Sequence, residues 1–405
     1  MSFLTELLSF DCEEYYSMSD VPLQFAGGIV GVLFGYHIIK KIMKPDSRQG
    51  NNFCICFGFC FSETIIIIRK LLQFFIDFYT GSNILNWDFV SDDHWLFKVF
   101  GFAKSPWEQR PLMDMGEDFS IATLACLFCT LGLFLREGFK VKGEAVPVKK
   151  SRKSIGEWFG EKISAEKQKL KNDTNTADWV LWWCIRAVMI YAFITMENRA
   201  EATLLGVNLL GTFAVSALHM VCPSQSFLCR ISYRVQSLLS VMVFLGSYCG
   251  NYVFIYNIIG RYDLFLHFVS GSLSTAAGYY IARTFMTVRT QKDIILTVSF
   301  ALVFSLMIIP LHEMVEFIGD FIWGTSNQGF YWGPSDSSFF FKVFGHGAGN
   351  TQLYYLFDTM YDALLASSSA VITVAVMALS LIKRQGKNSS DLYTEKSDGQ
   401  LLTIK

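Results

Sequence analysis

Carboxylates and one imidazole are grouped at the ends of three apolar stretches in the last third of the chain. Within each group the residues are three, four or seven positions apart, so on a helix they would share one face. A charged side chain that faces lipid costs roughly 2.5 to 3.5 kcal/mol, so these faces are expected to point into a bundle interior or a water-filled cavity. The groups are Asp263 with His267, then Glu313, Glu316 and Asp320, and finally Asp358 with Asp362.

This combination of side chains suits a divalent metal ion. Carboxylate oxygens and an imidazole nitrogen are ligands for a hard or borderline cation, which could polarise a phosphoryl or acyl oxygen or activate water. No nucleophile can be assigned from the sequence. We predict a metal-binding set of Asp263, His267, Glu316, Asp320, Asp358 and Asp362, and a catalytic set of His267, Glu313, Glu316 and Asp320.

Two other interpretations of the same residues stay open. Acids at an interface between membrane helices can relay protons or cations in a transporter. Alternatively the acids cap helices and hydrogen-bond to a loop, some of them protonated. Asp358 and Asp362 suit this role best, because the N-terminus of a helix favours negative charge.

Membrane-spanning helices are predicted to carry these residues. The chain has 405 residues, of which 52% are hydrophobic, and its apolar runs are about 20 residues long, which is enough to cross a bilayer core. The net charge of −1 provides no field that would attract nucleic acid. We predict an all-α polytopic bundle with nine spans, at 20–43, 54–79, 117–136, 179–197, 201–221, 234–257, 263–286, 294–323 and 356–382.

The distribution of basic residues predicts the orientation of these spans. All the basic clusters fall on one side if the N-terminus is outside and the C-terminus is cytoplasmic. The first 20 residues are acidic and interrupted by polar side chains, so they do not resemble a cleavable signal peptide. The basic clusters follow the first span, fill the loop at 140–171, surround Arg230 and Arg234, flank Arg289, and begin the tail at Lys383.

The first and last thirds of the chain resemble each other. Residues 20–43 align without gaps with residues 263–286, at an offset of 243. The pentapeptide FKVFG occurs at 97–101 and again at 341–345, at an offset of 244. We therefore predict two parallel three-helix repeats, related about the membrane normal.

The first copy lacks part of the site chemistry. Gln24 stands where the second copy has His267, Gln73 stands where it has Glu316, and Lys70 replaces the preceding glutamate. An amide and an ammonium are poor metal ligands, although they preserve hydrogen bonding. The second copy is accordingly predicted to be the active one, and the first to be a degenerate or regulatory partner.

The predicted spans and repeats divide the chain into five parts. The loop between the first repeat and the central spans is rich in lysine and is expected to be exposed and partly helical. Arg186, in the fourth span, is expected to be hydrogen-bonded internally rather than to neutralise the acids. The parts are the first repeat at 1–139, the basic cytoplasmic linker at 140–178, three central spans at 179–262, the second repeat at 263–382, and a cytoplasmic tail at 383–405.

The stretch from about residue 178 to 382 resembles YjdF-type bacterial membrane proteins and, more distantly, VanZ-type proteins. The shared features are D-x-x-x-H-x-x-x-G at 263–271, E-x-x-E at 313–316 followed by a further acid, and D-x-x-x-D at 358–362. The resemblance implies a location in the bacterial plasma membrane and about six spans, without an established activity. VanZ-type proteins are associated with glycopeptide resistance at the cell envelope.

We therefore expect an integral membrane protein that acts from the outer face on a lipid-linked or envelope substrate. Metal-assisted or acid/base chemistry would be carried out by the second repeat, in contact with membrane lipid. Transport coupled to protons or cations through the same acids is the alternative function. A non-catalytic envelope resistance or scaffold protein is the third.

Overall fold

A computed structural model of the chain consists of helices, with no strand among the residues that it describes. The backbone is described for residues 17–45, 47–80, 110–140, 155–222, 226–253, 255–259, 262–323 and 354–397. Side chains near several helix ends lie outside the described set, chiefly those of residues 17–21, 73–80, 110–120, 137–140, 313–323, 354–359 and 386–397.

Three long helices form a first unit. Helices α1 (Ser17–Met43), α2 (Arg48–Thr80) and α3 (Arg110–Lys140) each pack against the other two. Glycines bring α1 close to both neighbours. A Cβ added at Gly58 would lie 2.6 Å from the carbonyl oxygen of Val32, and one added at Gly28 would lie 2.7 Å from that of Ala122. Small residues at such crossings are typical of helix packing in membranes.

Shorter helices connect this unit to the last part of the chain. They are α4 (Ile155–Asp173), α5 (Thr176–Thr195), α6 (Arg199–Gly211), α7 (Ala214–Val221), α8 (Tyr233–Val243) and α9 (Ile255–Ile258). A 3₁₀ turn at Phe227–Arg230 precedes α8, and a π-helical segment at Phe244–Tyr252 follows it. The predicted basic linker therefore contains the regular helix α4.

Two of the predicted central spans are not single continuous α-helices. The span predicted at 201–221 is divided between α6 and α7, which are bent by 59°. The span predicted at 234–257 changes from α8 into the π-helical segment, where Gly246 and Gly250 lower the preference for a regular α-helix. Both interruptions occur within one part of the bundle, between α5 and the next long helix.

Three further long helices form a second unit. Helices α10 (Tyr262–Phe285), α11 (Gln291–Trp323) and α12 (Tyr354–Ser397) each pack against the other two. The α10 helix also packs against α8, and α11 packs against α2 of the first unit. The two units therefore share one continuous core.

Aromatic rings and one hydrogen bond join the units where α2 meets α11. The ring centroids of Phe53 and Phe300 are 5.2 Å apart, and those of Phe57 and Phe300 are 6.4 Å apart. The hydroxyl of Thr64 donates to the carbonyl oxygen of Val303 at 3.1 Å. Cys54 and Cys60 are buried in the same core, where an unpaired cysteine packs as a small apolar residue.

The helices are suited to a membrane. Four helices within the described residues are long and apolar enough to cross one, in α1, α5, α11 and α12, and the bent pair of α6 and α7 would add a fifth. Large apolar side chains such as Ile194, Leu210 and Leu379 are each more than two thirds exposed. Outward-facing aliphatic side chains of this kind have lipid as their natural surroundings. The chain is thus an all-helical, membrane-embedded protein.

Candidate functional site

The first turns of α10 place Asp263 and His267 on one face. The helix starts at Tyr262, whose hydroxyl donates a hydrogen bond to the carbonyl oxygen of Leu245 at 2.8 Å and so ties the helix start to the π-helical segment. Asp263 lies in the first turn, where the helix dipole favours a carboxylate. His267 follows one turn later, and its side chain is buried.

Asp362 of α12 completes a compact group with these two residues. Its Oδ2 atom lies 3.4 Å from Nε2 of His267, and Oδ1 of Asp263 lies 3.6 Å from the same nitrogen. One ligand atom from each residue lies within 4.8 Å of the other two. Two ligands of one ion, each at roughly 2.0 to 2.6 Å, can be up to about 5 Å apart. The three atoms therefore fit a single metal position.

A close approach of α10 and α12 brings His267 and Asp362 together. One turn beyond them, a Cβ added at Gly271 would lie only 2.3 Å from the carbonyl oxygen of Ala366. The contact continues in the next turn, where the hydroxyls of Ser272 and Ser369 are 2.6 Å apart. Because residues 267 and 362 both precede the glycine contact by four positions, the two side chains reach the same level of the bundle.

A cavity of about 80 Å³ adjoins His267. It has room for several water molecules or a small hydrated ion. Its polar lining comes from His267, Ser270, Ser274 and His312, and its apolar lining includes Leu266 and Ile308. The rings of His267 and His312 are 5.6 Å apart, centroid to centroid. The site therefore has a second imidazole on the side of the cavity.

Burial makes an uncompensated negative charge costly in this position. His267 is 4% exposed and Asp362 is 3% exposed, whereas Asp263 is half-buried. Two ionised carboxylates around one imidazole leave a net negative charge, which is costly in surroundings of low dielectric constant. A divalent ion would compensate that charge and use the acceptor atoms of all three side chains.

The structure joins part of the predicted site. Asp263, His267 and Asp362, three of the predicted metal ligands, lie close together in the structure. Glu313, Glu316, Asp320 and Asp358 belong to α11 and α12, but their side chains lie outside the described residues, and their membership in the site stays a prediction. His312 was not among the residues predicted for the site. Its position at the end of the same apolar run was the signal that could have identified it.

A polar network docks α4 against the bundle. Nδ1 of His219 lies 2.6 Å from Oε1 of Glu166, and the hydroxyl of Tyr233 donates to the same carboxylate oxygen. The ring of His219 is completely shielded from solvent. The predicted exposed linker thus has one face that is buried by specific contacts.

Lysines of α4 strengthen this docking. Nζ of Lys169 donates to the carbonyl oxygens of Cys229 and Ile231 at 2.6 and 3.0 Å, and Lys162 donates to that of Cys222. These carbonyl groups belong to the connection between α7 and α8, which contains the 3₁₀ turn. Burial lowers the pKa of the Lys169 ammonium, and the nearby carboxylate of Glu166 opposes that change.

Arg186 stabilises the break between α6 and α7. Its Nε and Nη2 atoms donate to Oγ1 and to the carbonyl oxygen of Thr212 at 3.2 and 2.7 Å. The guanidinium also lies over the ring of Phe213, with Cζ 3.7 Å from the ring centroid. The expected internal hydrogen bonding of Arg186 is confirmed, with a backbone carbonyl and a hydroxyl as its partners.

Comparison with known proteins identifies a family whose model matches slightly more than half of the chain. The model of a family described as "Predicted membrane protein (DUF2238)" matches residues 177–383, from α5 to the second unit. No curated protein and no solved structure matches the chain. The matched region is nearly the one in which the sequence resembled YjdF-type and VanZ-type proteins, but the match does not extend to those names.

Proposed function

We propose that this chain, which belongs to the DUF2238 family of predicted membrane proteins, binds a divalent cation through Asp263, His267 and Asp362. The bound cation acts on a lipid-linked or cell-envelope substrate by metal-assisted or acid/base chemistry. The observation that carries this proposal is the convergence of the three ligand atoms within 4.8 Å.

The mixed donor set favours particular ions. Calcium and magnesium prefer oxygen ligands alone, whereas an imidazole nitrogen with carboxylates suits zinc, manganese or ferrous iron. Three protein ligands would leave a coordination position open, as in catalytic zinc sites. His267 lines the neighbouring cavity, so water or a substrate oxygen could approach the ion from that side. His312 lies across the same cavity, where it could accept or donate a proton.

The proposal places the site at the extracytoplasmic leaflet of a nine-span protein. Its support is the positive-inside distribution of basic residues, together with helices at every one of the nine predicted positions. In that topology Asp263 and Asp362 lie near outer helix ends, where a lipid headgroup is within reach. A phosphoryl group of a lipid-linked substrate is the kind of ligand that a bound cation polarises.

Equivalent contacts in the two units support an internal repeat. Ser62 donates to the carbonyl oxygen of Gly28 at 3.0 Å, and Ser305 donates to that of Gly271 at 2.9 Å, both residues being shifted by 243. Stacked rings recur with the same shift and the same 6.2 Å separation, in the pairs Phe57–Phe61 and Phe300–Phe304. A shared ancestral packing explains such pairs better than chance does.

Metal analysis of the purified full-length protein tests the proposal. We expect about one divalent ion per chain, as the one cluster found among the described residues implies, and its loss in both His267→Gln and Asp362→Asn. The matched control is His37→Gln, because His37 is exposed on α1 and remote from the cluster. If the wild-type protein contains no such ion after incubation with zinc or manganese, or if both site variants retain it, the proposal is wrong.

Transport of protons or cations is the second candidate function, and a specific observation favours it. The cavity beside His267 is large enough for ions and water but small for a lipid headgroup. Hydroxyls continue inward from it, since Ser274 lies 3.1 Å from Ser305. Flux of zinc, manganese or sodium ions into proteoliposomes that depends on Asp362 would favour this function over catalysis.

A further inference from the structure

A single carboxyl group is buried in the middle of α2. Glu63 is 0% exposed and lies about 22 Å along the helix from Arg48. The hydroxyl of Thr123 donates to its Oε2 atom at 3.2 Å. The other oxygen, Oε1, is buried and has no hydrogen-bond partner. The sequence reasoning did not single out this residue, although a lone acid within an apolar run is a recognisable signal.

The polar groups around Glu63 are neutral, and one of them, the thiol of Cys126, also contacts its carboxyl group. The hydroxyl of Ser62 donates to the carbonyl oxygen of Gly28 at 3.0 Å, and the thiol of Cys126 lies 3.2 Å from that hydroxyl. Among the described residues, no nitrogen of lysine, arginine or histidine forms an ion pair with Glu63. Lys70 lies two turns along the same helix, at roughly 10 Å.

Among the described residues, the titratable neighbours of Glu63 supply no positive charge. On α2 and α3 these neighbours are the thiols of Cys60 and Cys126. A thiol is either neutral or negative, so neither can compensate a carboxylate. The helix α11 contributes the carbonyl oxygen of Val303, which accepts a hydrogen bond from the hydroxyl of Thr64. The helix α1 contributes the carbonyl oxygen of Gly28, which accepts a hydrogen bond from Ser62. An ionised carboxylate in these surroundings would be a buried charge without compensation, which costs several kcal/mol or more.

We propose that Glu63 is a proton-binding site inside the first three-helix unit. Protonation removes the uncompensated charge and changes an oxygen that can only accept into a hydroxyl that can donate. A divalent metal ion is a poorer occupant, because Glu63 is the only carboxylate in the cluster among the residues whose side chains the structure describes, and a hard cation needs several oxygen ligands. The first unit is therefore not only a degenerate copy of the second.

The neighbouring contacts connect this group to the second unit. At the offset of 243 the position of Glu63 is occupied by Leu306, so the two units differ in where they hold a titratable group. Thr64, the next residue, donates to the carbonyl oxygen of Val303 in α11. Uptake or release of a proton at Glu63 would act on the turn of α2 that touches the second unit. This proposal does not depend on the metal site.

Infrared spectroscopy of the reconstituted full-length protein tests the proposal directly. We expect the wild-type spectrum at neutral pH to contain the carbonyl stretch of a protonated carboxylic acid that is missing from Glu63→Gln. Asp263→Asn is the control, and it should retain that band. If the wild-type and Glu63→Gln spectra agree in this region, Glu63 is ionised and the proposal is overturned.

Two further measurements keep the test decisive. Glu63→Leu introduces the residue of the second unit and removes a carboxyl group without an ionic partner, so its thermal midpoint should equal or exceed that of the wild type. A clear fall in the midpoint of Glu63→Gln, which keeps an acceptor for Thr123 and removes only the ability to ionise, would indicate that the ionised form is stabilising and would refute the proposal. Suppression of the Glu63 band by sodium chloride, but not by choline chloride, would identify a sodium site and would also overturn it.

Discussion

Replacing Gly271 with alanine tests whether the contact between α10 and α12 holds the candidate site together. A Cβ at this position would lie 2.3 Å from the carbonyl oxygen of Ala366 and 3.0 Å from its C and Cα atoms. Ordinary carbon–oxygen contacts between helices are about 3.3 Å or longer. Since the obstacle is backbone and cannot rotate away, the two helices must separate by about 1 Å.

Separating α10 from α12 would also move the proposed metal ligands apart. His267 and Asp362 lie one turn from the contact, so the 3.4 Å between Nε2 and Oδ2 would widen by about 1 Å. Overpacking of this kind typically costs about 1 to 3 kcal/mol of stability. Misplacement of functional groups by about 1 Å can reduce their effect by up to about 100-fold, so we expect metal affinity to fall by about 10- to 100-fold.

Two other glycines provide matched controls. Gly28→Ala places a Cβ 2.7 Å from the carbonyl oxygen of Ala122 in the first unit, so it should lower the thermal midpoint without changing metal affinity. Gly27→Ala meets nothing within 4 Å and should change neither quantity. The assay is calorimetric titration of each purified variant with zinc or manganese, together with thermal unfolding. Wild-type affinity and midpoint in Gly271→Ala would refute the argument that this contact positions His267 against Asp362.

Two further substitutions test contacts outside the site. Lys169→Met should speed amide hydrogen exchange at residues 155–173 and lower the free energy of unfolding by about 2 to 3 kcal/mol, because two carbonyl groups lose a charged donor. The control is Lys167→Met, which should have little effect because Lys167 is exposed. Equal exchange rates in the two variants would contradict the docking role of Lys169. Arg186→Met should lower stability by about 1 to 3 kcal/mol, because the carbonyl oxygen of Thr212 loses its donor at the helix break. Exposed Arg230→Met should leave the thermal midpoint unchanged, and an equal effect of both arginine variants would contradict the capping role.

The long helices were predictable from the sequence because hydrophobicity and charge act locally. The span predicted at 263–286 corresponds to α10, at Tyr262–Phe285, and the span predicted at 179–197 corresponds to α5, at Thr176–Thr195. An apolar run bounded by polar residues has few alternatives in a membrane, where backbone groups must be satisfied within the segment. Such runs therefore identify helices without knowledge of their neighbours.

The interruptions of the central helices could not be predicted from local hydrophobicity, because they depend on side chains that are distant in the sequence. Residues 201–221 are apolar enough for one span, yet the helix breaks at Thr212 and Phe213. The carbonyl oxygen released there is satisfied by Arg186, which lies 26 residues earlier in the chain. Likewise, the polar face of α4 has the composition of a solvated helix, and only the position of His219 and Tyr233 identifies it as a docked one.

The candidate site was predictable in part from local spacing and in part depends on contacts between helices that are distant in the sequence. The four-residue spacing of Asp263 and His267 was sufficient to place them on one face, because helical periodicity is local. The addition of Asp362 requires the crossing of α10 and α12, which is set by Gly271 against Ala366. Glu63 was missed for a different reason. The comparison of the two repeats selected acids that occur in both copies or in the second copy, and Glu63 occurs only in the first. A residue unique to the first copy has no counterpart to draw attention to it, and its burial against α3 becomes evident only when the helices are packed. Sequence comparison within a duplicated chain therefore favours shared chemistry, and packing is needed to find the chemistry in which the copies have diverged.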